Sequence, residues 1–183
     1  MTTNLQMQIT EMVGVHGVIV RVSLIQADGS TPCEIGAAMT IAAETFAGTV
    51  GGGALEQEAL KAARKMLSEH AGGNVAPWRR TVRDYPLGPS LGQCCGGYVR
   101  LLFEVMSAPE LAEITDTLTD VSEGEKVLAL RPLKSGLTLQ FCRHRKEDHD
   151  GWPLPVRRAV RDMMSGTRPW TPVLTADWYI EPL

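Results

Sequence analysis

Residues 18–32 read Val18-Ile-Val-Arg-Val-Ser-Leu-Ile-Gln-Ala-Asp-Gly-Ser-Thr-Pro32. Eight residues rich in β-branched side chains run straight into a cluster of turn formers, which predicts a strand followed by a tight loop. Just upstream, Thr3-Asn-Leu-Gln6 has the form of a capping box and predicts a short opening helix ending near Gly14. Downstream, the apolar run Ala37 to Ala43 passes through Thr45-Phe46-Ala47 into Gly48-Thr-Val-Gly-Gly-Gly53, a buried strand feeding a glycine loop. From Leu55 to His70, residues Leu55, Ala59, Ala62, Ala63, Met66 and Leu67 recur at helical spacing, while Glu58, Lys61 and Lys65 take the other face. That segment predicts a helix closed by Gly72-Gly73. Residues 74–89 contain Pro77, Pro86 and Pro89 with little periodicity and predict a surface crossing.

Tyr98 to Val105 reads as a strong strand, Pro109 to Leu118 as a helix with proline in its first turn, and Val127 to Leu130 with Leu137 to Cys142 as a hairpin. Pro155 to Met164 predicts another helix, ended by Gly166, and Trp178 to Pro182 a final strand. Meandering strands mixed with separate helices favour an α+β fold, a mixed or antiparallel sheet with flanking helices in one compact domain, over a doubly wound parallel sheet.

The 183 residues are 44% hydrophobic and 21% charged with a net charge of -3, the composition of a globular chain that needs no metal or disulfide staple. The stretch Ile35 to Ala43, which lacks charged and amide residues, is far short of the ~20 apolar residues of a membrane span. The amino terminus has neither the basic nor the apolar region of an export signal, so the expected location is cytoplasmic. Nucleic acid is not expected as a partner, because the basic groups Arg79, Arg80 and Arg83, Arg143 to Lys146, and Arg157, Arg158 and Arg161 are short; solvated faces account for them.

Two segments carry chemistry. Gly51-Gly52-Gly53 sits between a strand and a helix start, where free amides make an anion site; a tight strand-to-helix turn is the alternative. It is neither a dinucleotide fingerprint nor a phosphate loop. Gly88-Pro-Ser-Leu-Gly-Gln-Cys-Cys-Gly-Gly97 places Cys94 and Cys95 in a glycine-flanked loop that offers poor burial, and such thiols suit a soft metal centre, a persulfide or covalent attack; a pair of half-buried thiols without a role is the alternative. The four cysteines, Cys33, Cys94, Cys95 and Cys142, do not have zinc spacing, and a reducing compartment disfavours a disulfide framework. Cys142 with His144, Asp148, His149 and Asp150 has enough ligands for a metal, but its surroundings read as a solvated loop. His16 and His70 read as surface or capping residues.

Taken together, Gly29-Ser-Thr-Pro-Cys-Glu-Ile-Gly-Ala-Ala-Met39, Gly48-Thr-Val-Gly-Gly-Gly-Ala-Leu-Glu56 and Leu87-Gly-Pro-Ser-Leu-Gly-Gln-Cys-Cys-Gly-Gly97 resemble the amino-terminal domain of xanthine dehydrogenase accessory proteins of the XdhC and CoxI type. The resemblance implies a chaperone that transiently binds the molybdenum cofactor in its molybdopterin form, protects it while its terminal sulfur is installed, and delivers it to a xanthine-dehydrogenase-type apoenzyme. It implies a cofactor site of Gly51, Gly52, Gly53, Glu56, Gln93, Cys94, Cys95, Gly96 and Gly97, with Cys94 or Cys95 on molybdenum. A cysteine desulfurase and a second copy of the chain are the further partners expected, and such a factor is non-catalytic. The contrasting reading is a thiol-dependent sulfurtransferase or oxidoreductase using Cys94 or Cys95; a third is a docking module that binds no cofactor. The sequence departs from the family pattern at Cys33, where an arginine usually follows the proline. Family members commonly continue into a carboxy-terminal Rossmann-type domain, and residues 1–183 correspond to the part before it.

Overall fold

The computed structural model describes residues 4–71, 77–88, 96–119, 121–122, 124–143 and 151–183. Helix α1 (Asn4–His16) precedes β1 (Val18–Asp28), β2 (Ala38–Ile41), β3 (Phe46–Gly48) and helix α2 (Gly53–Ala71). Strands β4 (Arg80–Pro86) and β5 (Tyr98–Ser107), helix α3 (Ala108–Thr119), and strands β6 (Leu128–Pro132) and β7 (Gln140–Cys142) follow. Helix α4 (Leu154–Ser165) and the hairpin β8 (Val173–Thr175) and β9 (Trp178–Pro182) complete the order. The strands form two wholly antiparallel sheets, β3-β2-β1-β5-β4 and β7-β6-β9-β8. The fold is α+β in one domain, as expected, with two sheets where one was expected.

Strand β1 lies at the centre of the first sheet and is covered on both faces, which is why its sequence is nearly continuous in apolar residues rather than alternating. Val20, Val22 and Leu24 pack with Leu101 and Phe103 of β5 against the apolar stripe of α2. That stripe is Leu55, Ala59, Ala62, Ala63, Met66 and Leu67, all six of the residues that helical spacing selects. On the opposite face Ile25 and Leu102 meet Tyr179 of the second sheet. Leu128, Leu130 and Ile180 of the second sheet turn outward under Val156, Ala159, Val160 and Met163 of α4. The layers therefore run α2, first sheet, second sheet, α4. Helices α1 and α3 close one side, with Ile9, Met12, Val13 and Ile114 packed against Ile19, Met106 and Trp78.

Two local devices set element ends. The carboxylate of Glu110 accepts from the backbone N–H of Ser107 at 3.0 Å and from its hydroxyl at 2.5 Å, a Ser-x-x-Glu start for α3 ahead of Pro109. Gly166 ends α4 in the left-handed region, its N–H donating to the Met163 carbonyl at 3.1 Å.

Residues 80–86 correct the surface crossing expected there. They form β4, paired with β5 from Arg80 opposite Glu104 to Pro86 opposite Tyr98. An edge strand makes one ladder only, so Pro86 at its last position breaks nothing. Its charged residues are also not solvent-facing in a simple alternation: Arg80 is buried and Arg83 stacks over Phe103 with its guanidinium 5.5 Å from the ring centre. Strand β8 went unanticipated because its turn to β9 uses Ala176 and Asp177, both at positive φ (46° and 60°), instead of an Asn-Gly pair.

Candidate functional site

The three motifs lie far apart in sequence, and antiparallel pairing brings their described parts to one end of the first sheet. Strand β1 reaches that end at Asp28, which pairs with Tyr98 at the start of β5; Gly48, the last residue of β3, pairs with Met39 of β2. The loop after β1, the loop into α2 and the segment before β5 are thus neighbours. Their contact is close enough to depend on glycine. A Cβ on Gly51 would lie 2.3 Å from Cγ of Pro32, and a Cβ on Gly97 would lie 2.2 Å from the Ser30 carbonyl oxygen. A Cβ on Gly29 would meet Cα of Gly97 at 3.3 Å. The Gly97 carbonyl in turn accepts from the Leu87 N–H at 2.7 Å, tying the third segment to the end of β4.

The glycine triplet is left-handed throughout, with φ of 130°, 72° and 61° at Gly51, Gly52 and Gly53. Side chains other than glycine rarely adopt this region, so the sequence Gly-Gly-Gly is a backbone requirement of the turn. The turn and anion-site readings are compatible: Gly51 is pressed against Pro32, whereas a Cβ on Gly52 or Gly53 would meet nothing within 4 Å among the described residues. The amides there are those a helix leaves without intrahelical partners. Thr49 organises the approach. Its hydroxyl donates to Oε1 of Glu56 at 2.5 Å, the Gly51 N–H lies 3.2 Å from the same hydroxyl oxygen, and the Thr49 N–H donates to the Ala38 carbonyl at 3.0 Å. Glu56 is half-buried in the first turn of α2, with its carboxylate held beside the triplet. Cys33 is a free thiol, half-buried and packed against the core under α2, with its carbonyl accepting from Thr31 Oγ1 at 3.2 Å.

Of the sequence-predicted site, Gly51, Gly52, Gly53, Glu56, Gly96 and Gly97 are brought to this end of the sheet. Gln93, Cys94 and Cys95 lie outside the described residues, as do His144, Asp148, His149 and Asp150. Cys142 is buried in the core beneath α4, and among the described residues no group of three or more potential ligands could hold a metal. Arg157, Arg158 and Arg161 lie on the exposed face of α4, as expected. Arg79 pairs with Glu69.

Sequence reading missed Thr49 as the hinge of the glycine turn, although it lies within the second motif. It also missed a buried ionic cluster between the sheets. Arg21 donates to Glu181 at 2.5 Å, Arg131 to Glu181 at 2.7 Å and to Glu104 at 3.1 Å, and Arg80 to Glu104 at 2.6 Å. Arg80, expected on a solvated face, is fully enclosed. Burial pushes the Glu104 and Glu181 carboxyls up, but the surrounding guanidiniums outweigh it and hold both below the ordinary carboxylate range. The available signal was a lone charge in the middle of an apolar strand, as at Arg21, Glu104 and Arg131.

Residues 16–76 match the model of the XdhC and CoxI family. The matched stretch contains the first two motifs, including Pro32, Thr49, the triplet and Glu56; the Gly96-Gly97 contact extends the same site beyond it. No curated protein matches the chain significantly. Among solved structures, one described as a xanthine dehydrogenase from Bacillus halodurans shares the fold with a TM-score of 0.59 at 21% identity. The similarity covers 76% of this chain and 42% of that one, so the chain spans less than half of its structural relative. No described helix is long and apolar enough to cross a membrane.

Proposed function

We propose that this XdhC/CoxI-type domain binds the molybdenum cofactor in its molybdopterin form and serves the maturation of a xanthine-dehydrogenase-type enzyme. The observation that supports the reading is that the described parts of the three motifs meet beside the start of α2, Gly51 close against the Pro32 side chain and Gly97 close against the Ser30 backbone, contacts that only glycine permits. The residues present fit the cofactor's chemistry. The amides of the first turn of α2, which a helix leaves without intrahelical partners, suit its phosphate, and among the described residues nothing lies within 4 Å of where a Cβ on Gly52 or Gly53 would be. The Glu56 carboxylate, a pure acceptor when ionised, suits the donor-rich edge of a pterin, and Thr49 fixes its orientation. Cys94 and Cys95, immediately before Gly96 in sequence, supply soft sulfur ligands for molybdenum.

When bound, the cofactor supplies a molybdenum centre that needs a terminal sulfur before it works in its client. The domain's part is to hold and release: short polar contacts and glycine-lined backbone grip a polar ligand without burying it in an apolar cavity, which suits transfer to an apoenzyme. In this reading the partners are an apo molybdoenzyme, a cysteine desulfurase as sulfur source, a second copy of the chain, and the Rossmann-type domain that accompanies this module in its family.

The test is molybdenum and pterin content after anaerobic incubation with the cofactor and desalting, for the native chain and for a Cys94→Ala, Cys95→Ala variant. Near-stoichiometric retention by the native chain and loss in the variant is the expected result. If the folded native chain retains none, the cofactor reading fails for this domain, and turnover of a sulfur donor with rapid alkylation of one thiol would move the assignment to a thiol enzyme.

A further inference from the structure

Glu56 stands in the first turn of α2, a position from which a carboxylate commonly closes the helix start by accepting from its free amides. Here it does not. Among the described residues its hydrogen bond comes from the Thr49 hydroxyl, to Oε1 at 2.5 Å, and no backbone N–H donates to it. Glu56 also forms no ion pair among the described residues, and it is only half-buried.

The Thr49 hydroxyl has a single proton. Its oxygen lies 3.2 Å from the Gly51 nitrogen and accepts from that N–H, so the proton is turned to Glu56 and the carboxylate is fixed from the loop side. Oε2 is left without a donor among the described residues, and Oε1 keeps a second lone pair. Gly52 and Gly53, between Gly51 and the body of the helix, bring no side chain, and a Cβ on either would meet nothing within 4 Å among the described residues. The result is an aimed acceptor without a donor, beside the place where the described parts of the three motifs meet.

A carboxylate held in this way matches a ligand edge that offers two adjacent donors. The 2-amino-4-oxopyrimidine ring of a pterin has such an edge, because its ring N–H and its exocyclic amine project side by side. In a 2,4-dioxo ring a carbonyl oxygen replaces the amine, and an acceptor then faces an acceptor.

We propose that Glu56 is the residue by which this domain selects a 2-amino-4-oxopyrimidine ring over its 2,4-dioxo analogue, with Thr49 as the positioning residue that holds the carboxylate for it. The inference rests on the cofactor reading above and adds which edge of the ring is read, and by which side chain.

Pterin-6-carboxylate and lumazine-6-carboxylate, which differ in their 2-substituent, are titrated into the native chain and followed by their own fluorescence. Losing a hydrogen bond to a charged group predicts that the native chain binds the pterin at least about tenfold more tightly. Glu56→Gln, whose amide supplies a donor as well as an acceptor, brings the ratio close to one. Thr49→Val lowers the ratio while leaving the lumazine affinity unchanged, and Thr49→Ser keeps the native ratio; a merely structural loss would weaken both ligands alike. Equal dissociation constants in the native chain, binding of neither probe, or a ratio untouched by Glu56→Gln overturns the inference. A chain that retains the molybdenum cofactor yet shows equal constants refutes ring selection alone, whereas one that keeps the ratio and retains no cofactor refutes the cofactor reading alone.

Discussion

Gly97 and Gly96 are adjacent, and the structure assigns them opposite tolerance to a methyl group. A Cβ on Gly97 would sit 2.2 Å from the Ser30 carbonyl oxygen, 2.9 Å from the Ser30 carbonyl carbon and 3.1 Å from the Asp28 carbonyl oxygen. All three are backbone atoms, so no rotamer change relieves the clash, and the loop after β1 must separate from the start of β5 by roughly 1 Å. Overpacking of this kind costs about 1–3 kcal/mol, which for 183 residues lowers Tm by about 2–12 °C. A Cβ on Gly96 meets nothing within 4 Å among the described residues, so Gly96→Ala stays within about 0.5 kcal/mol of the parent. Urea unfolding followed by far-ultraviolet circular dichroism gives both values on one instrument. Because the strain falls between two loops of the candidate site, Gly97→Ala also loses cofactor retention under conditions where it is still folded, while Gly96→Ala retains it. Superimposable unfolding curves for the two variants would refute the contact between the first and third motifs, and with it the convergence on which the site rests.

The ionic cluster yields two further expectations. Glu104→Ala leaves Arg80 and Arg131 facing each other without their shared carboxylate, and a broken buried pair costs about 3–5 kcal/mol, far beyond what an exposed pair such as Lys61 with Glu58 contributes; equal losses for Glu104→Ala and Glu58→Ala in urea unfolding would contradict the burial described. Because Glu104 and Glu181 titrate below the ordinary value of 4.5 when folded, the unfolded chain takes up protons first; their stabilisation is complete above that value and is lost as pH falls through the folded values, so a denaturation midpoint that stays flat from pH 6 to pH 3 would disprove it.

The elements with a strong local signal were legible in the sequence. The α2 stripe is set by spacing alone, because a 3.6-residue period places Leu55, Ala59, Ala62, Ala63, Met66 and Leu67 on one face wherever the helix docks. The β-branched run of β1, the proline start of α3 and the glycine end of α4 are local in the same sense. Strand β4 was hidden, since an edge strand need satisfy only one neighbour and its prolines and arginines read as a loop until β5 supplies the ladder. The site divides along the same line. The sequence alone determined that Gly51 to Gly53 form a special turn before a helix, because three consecutive glycines have few other uses. Only the tertiary structure decided that this turn, Pro32 and Gly97 touch, because antiparallel pairing of β1 with β5 and of β2 with β3 brings the ends of distant segments together. Only the tertiary structure, too, decided the fate of Arg21, Arg80 and Arg131: a charge in a strand is solvated or buried according to what covers that face, and here a second sheet does.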